Sequence, residues 1–214
     1  FLNSGFVYDN AEQAEARFLG DDEGFIYSRY GNPTVSMFEE RLAQIDGSEA
    51  CFATASGMAA VFAALLCQLQ SGDHVVASRA LFGSCHYILT QLLPRYGIEA
   101  DLVDGADLAQ WRDKIKDGTS VVFFETPSNP TLDLIDLEAV IGLAHGVGAR
   151  VVVDNVFSTP ILQRPAEYGA DVVVYSGTKH MDGQGRILGG AVLSSQKFIT
   201  DHLMNFMRHT GPAM

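Results

Sequence analysis

The sequence predicts an α/β fold, a three-layer sandwich around a mostly parallel sheet. Three observations lead there. Short, almost wholly apolar segments recur along the chain, among them "HVVAS", "SVVFFE", "ARVVVD" and "DVVVYS". Strands this apolar are covered on both faces. Between them lie segments of helical length and period, and such alternation implies parallel strands with helices packed on the sheet. The 214 residues, 47% hydrophobic and 19% charged, are enough for one large domain with a substantial core.

Taken in order, residues 1–33 mix aromatic and polar side chains without a clean period and end at Asn32-Pro33, a turn or helix-start signal. They read as an arm lying on another subunit, ahead of a domain over 34–214. "TVSMFEERLAQIDG" is an amphipathic helix, with Thr34 or Ser36 as its cap and Gly47 closing it. "EACFAT" is a strand, and "SGMAAVFAALLCQLQSG" a helix apolar nearly all round and therefore buried. "HVVAS" is a strand and "CHYILTQLLPRYG" a helix interrupted by Pro94. "IEADLVD", "LAQWRDKIKDG", "SVVFFE", "DLEAVIGLAHGVG" and "ARVVVD" continue the strand–helix alternation. "DVVVYS" and "GGAVLSS" are further strands, and "QKFITDHLMNFMRHTGPAM" begins as a helix that stops at Gly211-Pro212.

Charge and cysteine content narrow the function. A net charge of −12 repels nucleic acid and anionic membranes. No apolar run approaches the ~20 residues that a spanning helix needs, and no signal peptide is read in a chain that starts at Phe1. The three cysteines, Cys51, Cys67 and Cys85, are widely spaced without a C-x-x-C and point to reduced thiols in a cytoplasmic setting. The scattered histidines form no ligand cluster, so no metal site is expected. "GQGRILGG" has dinucleotide-loop glycines but precedes a strand, the wrong context for a nicotinamide site. Trp111 reads as a half-buried helix anchor.

In open α/β sheets ligands bind beyond the carboxyl ends of the strands. Those ends carry Ser56-Gly57-Met58, Leu81-Phe82-Gly83, Glu125 followed by Thr126 to Pro130, Asp154-Asn155, and Ser176-Gly177-Thr178-Lys179. "SGM" between a strand and a helix is either an ordinary cap or an anion site, since the first N–H groups of a helix are free. Ser176, Thr178 and Arg29 would add donors for a phosphate. Asp154 after a run of valines faces a cation or caps a helix. Lys179 is costly to bury unpaired. Partly desolvated, it is either a Schiff-base nucleophile or a plain phosphate ligand. A phosphate cradle, an aspartate and such a lysine together suit pyridoxal 5'-phosphate.

The motifs "YSRYGNPT", "ATASGMAA", "FFETPSNPT", "VVVDNVFSTP" and "SGTKHMDGQGRILGG" stand in order across the whole chain. With them the sequence resembles the Cys/Met-metabolism family of fold-type I pyridoxal-phosphate enzymes, most of all its O-succinylhomoserine sulfhydrylase branch. The resemblance implies that residues 34–214 are the large cofactor-binding domain and that a C-terminal small domain, which would supply the arginine for the substrate carboxylate, is absent from this chain. It implies that Lys179 holds the cofactor and shuttles protons. Asp154 would pair with the pyridine nitrogen, and Ser176, Thr178 and the N–H groups of Gly57 and Met58 would bind the phosphate. Asn129 would lie at the ring's hydroxyl side, and Phe82 would stack on the ring where many relatives have tyrosine. Tyr27, also a catalytic candidate, and Arg29 would reach the phosphate of a neighbouring subunit in a homo-oligomer, a dimer of dimers with shared sites. The implied activity is a transferase reaction of methionine biosynthesis, γ-replacement on O-succinylhomoserine with sulfide to give homocysteine. Cystathionine γ-synthase or methionine γ-lyase chemistry is the alternative, as is a truncated chain that binds cofactor or a partner without turnover.

Overall fold

The computed structural model describes all residues, 1–214. After helix α1 (Ala11–Leu19) and helix α2 (Pro33–Asp46) come β1 (Ala50–Thr54), α3 (Gly57–Leu66), β2 (His74–Ser78) and α4 (Gly83–Tyr87). Then follow β3 (Glu99–Val103), α5 (Leu108–Lys114), β4 (Thr119–Glu125), α6 (Leu137–Gly146) and β5 (Arg150–Asp154). The chain ends through α7 (Thr159–Leu162), β6 (Val172–Ser176), β7 (Gly190–Ser194), α8 (Gln196–Phe198) and α9 (Met204–Thr210). The strands form one seven-stranded sheet in the order β1-β7-β6-β5-β4-β2-β3. Only β7 runs against its neighbours, pairing antiparallel with both β1 and β6. The expected mostly parallel sheet is therefore present, and no helix is long and apolar enough to cross a membrane.

Side-chain alternation divides the sheet between cores. Val75, Ala77, Val121, Phe123, Val152, Val172 and Val174 pack into one cluster with α3, the helical turns from Cys85 to Leu93, and the C-terminal helices. Their sequence neighbours Val76, Val122, Phe124, Val151 and Val153 face the other way, against α5 and α6. Val173, Tyr175, Ala191 and Leu193 meet Leu42 of α2 on that second side. Strands with apolar residues at consecutive positions have no solvated face, and this produces the three layers.

Several local expectations are corrected. Asn32, not Thr34 or Ser36, caps α2: its side chain accepts from Thr34 N–H at 2.9 Å, and Pro33 occupies the first helical position. That position has no use for an N–H, which is why proline fits there. Gly47 does close α2, at φ 85°. The segment holding Pro94 is α-helical only to Tyr87 and continues as a wide π turn, Ile88–Leu92, and a tight 3-10 turn, Leu93–Tyr96. Trp111 is not half-buried but fully buried, with Nε1 donating to Gly105 O at 3.0 Å. Of the cysteines Cys85 is buried, and Cys51 and Cys67 are partly so. All three are free thiols.

The first 33 residues contain α1, which the mixed pattern concealed, and fold back on themselves through a bridge between Gly5 and Tyr27. Arg208 of α9 pins this region by donating to Tyr30 O at 3.1 and 3.3 Å.

β7 passes very close to the turn that opens α3. A Cβ placed on Gly190 would lie 2.3 Å from the backbone oxygen of Ser56. Gly190→Ala should therefore force β7 and this turn apart and cost about 1–3 kcal/mol or more, read as a lowered midpoint in urea denaturation.

Candidate active site

The alternation that builds the core also aims the site. In β4, Val121 and Phe123 face α3 and α4, and the next residue of that parity is Glu125. In β5 the same step leads from Val152 to Asp154, and in β6 from Val172 and Val174 to Ser176. The three polar groups therefore emerge at one rim, on one face, under the N-termini of α3 and α4. They line a cavity of about 350 Å³ with Gly57, Met58, Phe82, Asn129, Thr178 and Lys179.

One wall is the start of α3. Ser56 caps it by accepting from Ala59 N–H at 3.1 Å, and Ser56 O accepts from Ala60 N–H at 3.1 Å. The N–H groups of Gly57 and Met58 are left outside the helical ladder, at the positive end of the helix dipole. Gly57 sits so close to β6 that an added Cβ would meet Ser176 Cβ at 2.5 Å and Ser176 Oγ at 2.9 Å. Only glycine lets these donors and the serine hydroxyl share one small volume. Thr178 Oγ1 accepts from Gly189 N–H at 3.2 Å, tying the turn after β6 to the entrance of β7.

The floor is acidic. Asp154 is 8% exposed, and its Oδ1 accepts from Val156 N–H at 3.0 Å. Burial pushes its carboxyl up to about 7, against the opposing pull of the Val156 N–H and the Lys179 charge. The adjoining segment is locked from behind. Asn155 Nδ2 donates to Tyr175 Oη at 2.8 Å, and Tyr175 Oη donates to Asp46 of α2 at 2.5 Å. Glu125 is 1% exposed and lies opposite Asp154 in the β4–β5 register. Burial first, then the charge of Asp154, raise its carboxyl to about 8. Sequence reasoning placed Glu125 at the rim but gave it no role. The signal was its parity: like Asp154 after Val152, it ends its strand two positions beyond an apolar residue, Phe123, that faces α3.

Lys179 corrects one expectation. It follows β6 in a turn, Gly177–Met181, that breaks at its own backbone (φ −94°, ψ −120°), and its side chain is exposed at the cavity mouth rather than buried. It can meet an incoming carbonyl without first paying a desolvation penalty. Phe82 stands on the opposite wall, 44% exposed. Tyr27 and Arg29 do not line the cavity. The Arg29 guanidinium lies over the Tyr27 and Tyr30 rings at 5.1 and 5.2 Å, and it donates to Arg208 O. Within one chain the cavity is thus lined by two carboxylates and a single cation, Lys179. The His180 ring lies 6.0 Å from that of Phe157, tilted by 53°.

Known structures share this architecture and define the class. MetB of Corynebacterium glutamicum superposes with a TM-score of 0.92 at 31% identity, over 100% of this chain and 54% of its own. A Campylobacter jejuni protein described as an O-acetylhomoserine (thiol)-lyase, solved with a pyridoxyl-lysine phosphate, matches with a TM-score of 0.87 at 35% identity, over 97% of this chain and 50% of its own. The chain has the fold of the type I pyridoxal-phosphate enzymes. All of it, residues 1–214, matches the Cys/Met metabolism PLP-dependent enzyme family, and it belongs to that family. Over its full length it is 56% identical to an O-succinylhomoserine sulfhydrylase of Mycobacterium tuberculosis and 44% identical to one of Pseudomonas aeruginosa. Over 202 residues it is 41% identical to an L-methionine gamma-lyase of Porphyromonas gingivalis. It spans about half the length of these relatives, 53% of the sulfhydrylases and 51% of the lyase.

The residues present fit pyridoxal phosphate. The free N–H groups at the start of α3 suit its anion. Asp154 keeps Oδ2 unbonded within the chain, available to a protonated ring nitrogen. Lys179 is the one amine at the mouth.

A pH effect follows from the raised carboxyls. In the cofactor-free protein Glu125 and Asp154 hold protons that the unfolded chain would lose near pH 4. Their contribution to stability is complete below that pH and is lost as pH rises through about 7 and 8. Thermal melts of the cofactor-free protein should fall from pH 5 to pH 9, and the slope should be shallower in Asp154→Asn.

Proposed function

We propose that the protein exchanges the γ-succinyloxy group of O-succinylhomoserine for sulfide, forming homocysteine and releasing succinate. The observation that carries this reading is the similarity of the entire chain to relatives named for that activity. Phe82 supports it: a phenyl ring can stack but has no hydroxyl, so proton transfer falls to Lys179, the lone amine on the cavity wall.

In this reading Lys179 would attach the cofactor and carry the substrate's α-proton. The Gly57 and Met58 N–H groups, with Ser176 and Thr178, would hold the phosphate. Asp154 would keep the ring nitrogen protonated, Phe82 would cover the ring and Asn129 would lie toward its hydroxyl. The bound cofactor supplies an electron sink for charge developed at the substrate α-carbon. A phosphate dianion facing a single cation in one chain calls for another, and Arg29 with Tyr27 of a neighbouring subunit meets that need in a homo-oligomer with shared sites, a dimer of dimers. The exposed apolar side chains of the first residues, among them Phe1, Leu2, Val7, Phe18 and Leu19, suit such a contact. The arginine for the substrate carboxylate belongs to the C-terminal domain that relatives of about twice this length have room for.

Methionine γ-lyase chemistry is the second reading, favoured by the relative from Porphyromonas gingivalis. Borohydride reduction of the holoprotein followed by peptide mapping should place a pyridoxyl group on Lys179, and an adduct on another lysine would refute the assigned role. With O-succinylhomoserine, sulfide should outcompete cysteine as acceptor. Release of a 2-oxo acid from methionine with no acceptor present would transfer the assignment to the lyase. Replacing both Ser176 and Thr178 by alanine should weaken cofactor binding by about tenfold or more, the equivalent of one or two hydrogen bonds to a charged group, as read by fluorescence titration.

A further inference from the structure

Glu125 is the buried group at this site that the assignments above leave unused. It is a carboxyl at the end of a central strand, and strands paired in a sheet lie only about 4.8 Å apart. Its register partner is Asp154, on the same face. One oxygen, Oε2, accepts from the backbone N–H of Phe82 at 3.0 Å. That bond fixes the first turn of α4, whose N-terminal residue has no side-chain cap. The other oxygen, Oε1, is buried without a well-formed hydrogen bond; beyond Phe82, the backbone N–H of Asn129 also reaches the carboxyl, but it favours the ionised form less than burial opposes it. An ionised carboxylate with an unpartnered buried oxygen is costly, whereas the neutral acid leaves far less charge unsolvated.

The groups facing Glu125 decide between the two forms. Asp154 approaches from β5, Cys85 from α4 and the backbone N–H of Asn129 from the loop after β4, while Lys179, on the turn after β6, lines the same cavity and acts on Asp154. The part of α3 that lines the cavity, Gly57, Met58 and Val61, brings no charge. Two adjacent buried carboxyls do not both ionise when only one cation is at hand. Lys179 is exposed at the mouth and lowers Asp154, while Asp154 raises Glu125. A cation held against Asp154 would fix the negative charge there and leave Glu125 as the carboxyl that keeps its proton.

We propose that Glu125 is a positioning residue of the cofactor site that works as a neutral acid: one oxygen anchors the backbone at Phe82, and the other keeps its proton, so that the negative charge of the cavity floor stays on Asp154. The side chain thereby sets both the wall that covers the ring and the charge beneath the ring nitrogen. This inference rests on the cofactor class and not on the choice of homoserine ester or acceptor.

The test uses holoprotein and needs no turnover. The infrared spectrum at pH 7 should contain the carbonyl band of a protonated carboxylic acid, and Glu125→Gln should remove it. The same variant should keep cofactor affinity within about threefold of wild type, because the amide still accepts from Phe82 N–H, while Glu125→Ala should weaken it about tenfold, the equivalent of one lost hydrogen bond. The pH midpoint of the cofactor's visible band should be unchanged in Glu125→Gln. A wild-type spectrum without the protonated band, or a midpoint moved by Glu125→Gln, would overturn the proposal. Should Glu125→Gln fail to fold, Glu39→Gln removes a half-buried glutamate that also has a raised carboxyl. A protonated band surviving in that variant supports the assignment to Glu125, and its loss refutes it.

Discussion

Because the central strands are buried on both faces, each alternates its side chains between two packed layers, and the rest of the molecule depends on that alternation. Phe123, Val152 and Val174 point into the layer formed by α3 and α4. The next position of the same parity in each strand carries Glu125, Asp154 and Ser176. A shift of one residue would turn Glu125 or Asp154 into the layer of α5 and α6, among Val151, Val153 and Phe124, and Ser176 into the side where Val173 and Tyr175 meet α2. The polar groups of the cavity and the apolar core therefore have a single geometric cause.

The reversed strand β7 adds the second requirement. It separates β1 from β6 in the sheet, yet its first residue is small enough for the turn at Ser56 to close over it. This brings the start of α3 against Ser176, so an anion would meet helix N–H groups from one side and a serine hydroxyl from the other. The buried chain from Asn155 through Tyr175 to Asp46 fixes the opposite side, holding the end of β5 to α2. Between these two clamps the segment that carries Asp154 is held from both sides.

The electrostatics of the cavity are deliberate in their imbalance. A chain of net charge −12 has built a site for an anionic cofactor over a floor of two carboxyls and with a single lining cation. Helix N–H groups supply part of the missing positive potential without adding ionisable groups. Raising the Glu125 carboxyl by burial supplies another part, since a neutral acid does not repel the phosphate.

Much of this was legible in the residues alone. Consecutive valines specified buried parallel strands, and the polar residues that end those strands marked the rim, because strand period and hydrophobic burial are local properties of sequence. Asp154, Ser176, Thr178, Lys179, Gly57, Met58, Phe82 and Asn129 were all recognisable there, and the structure gathers them around one cavity. The exposure of Lys179, the capping of α2 by Asn32, the complete burial of Trp111 and the helix within the first 33 residues were not. Nor was the pairing of Glu125 with Asp154, since 28 intervening positions in the chain are closed only by strand register. Tertiary structure decided these because each depends on which distant surface a residue meets, and such meetings are set by packing rather than by local pattern.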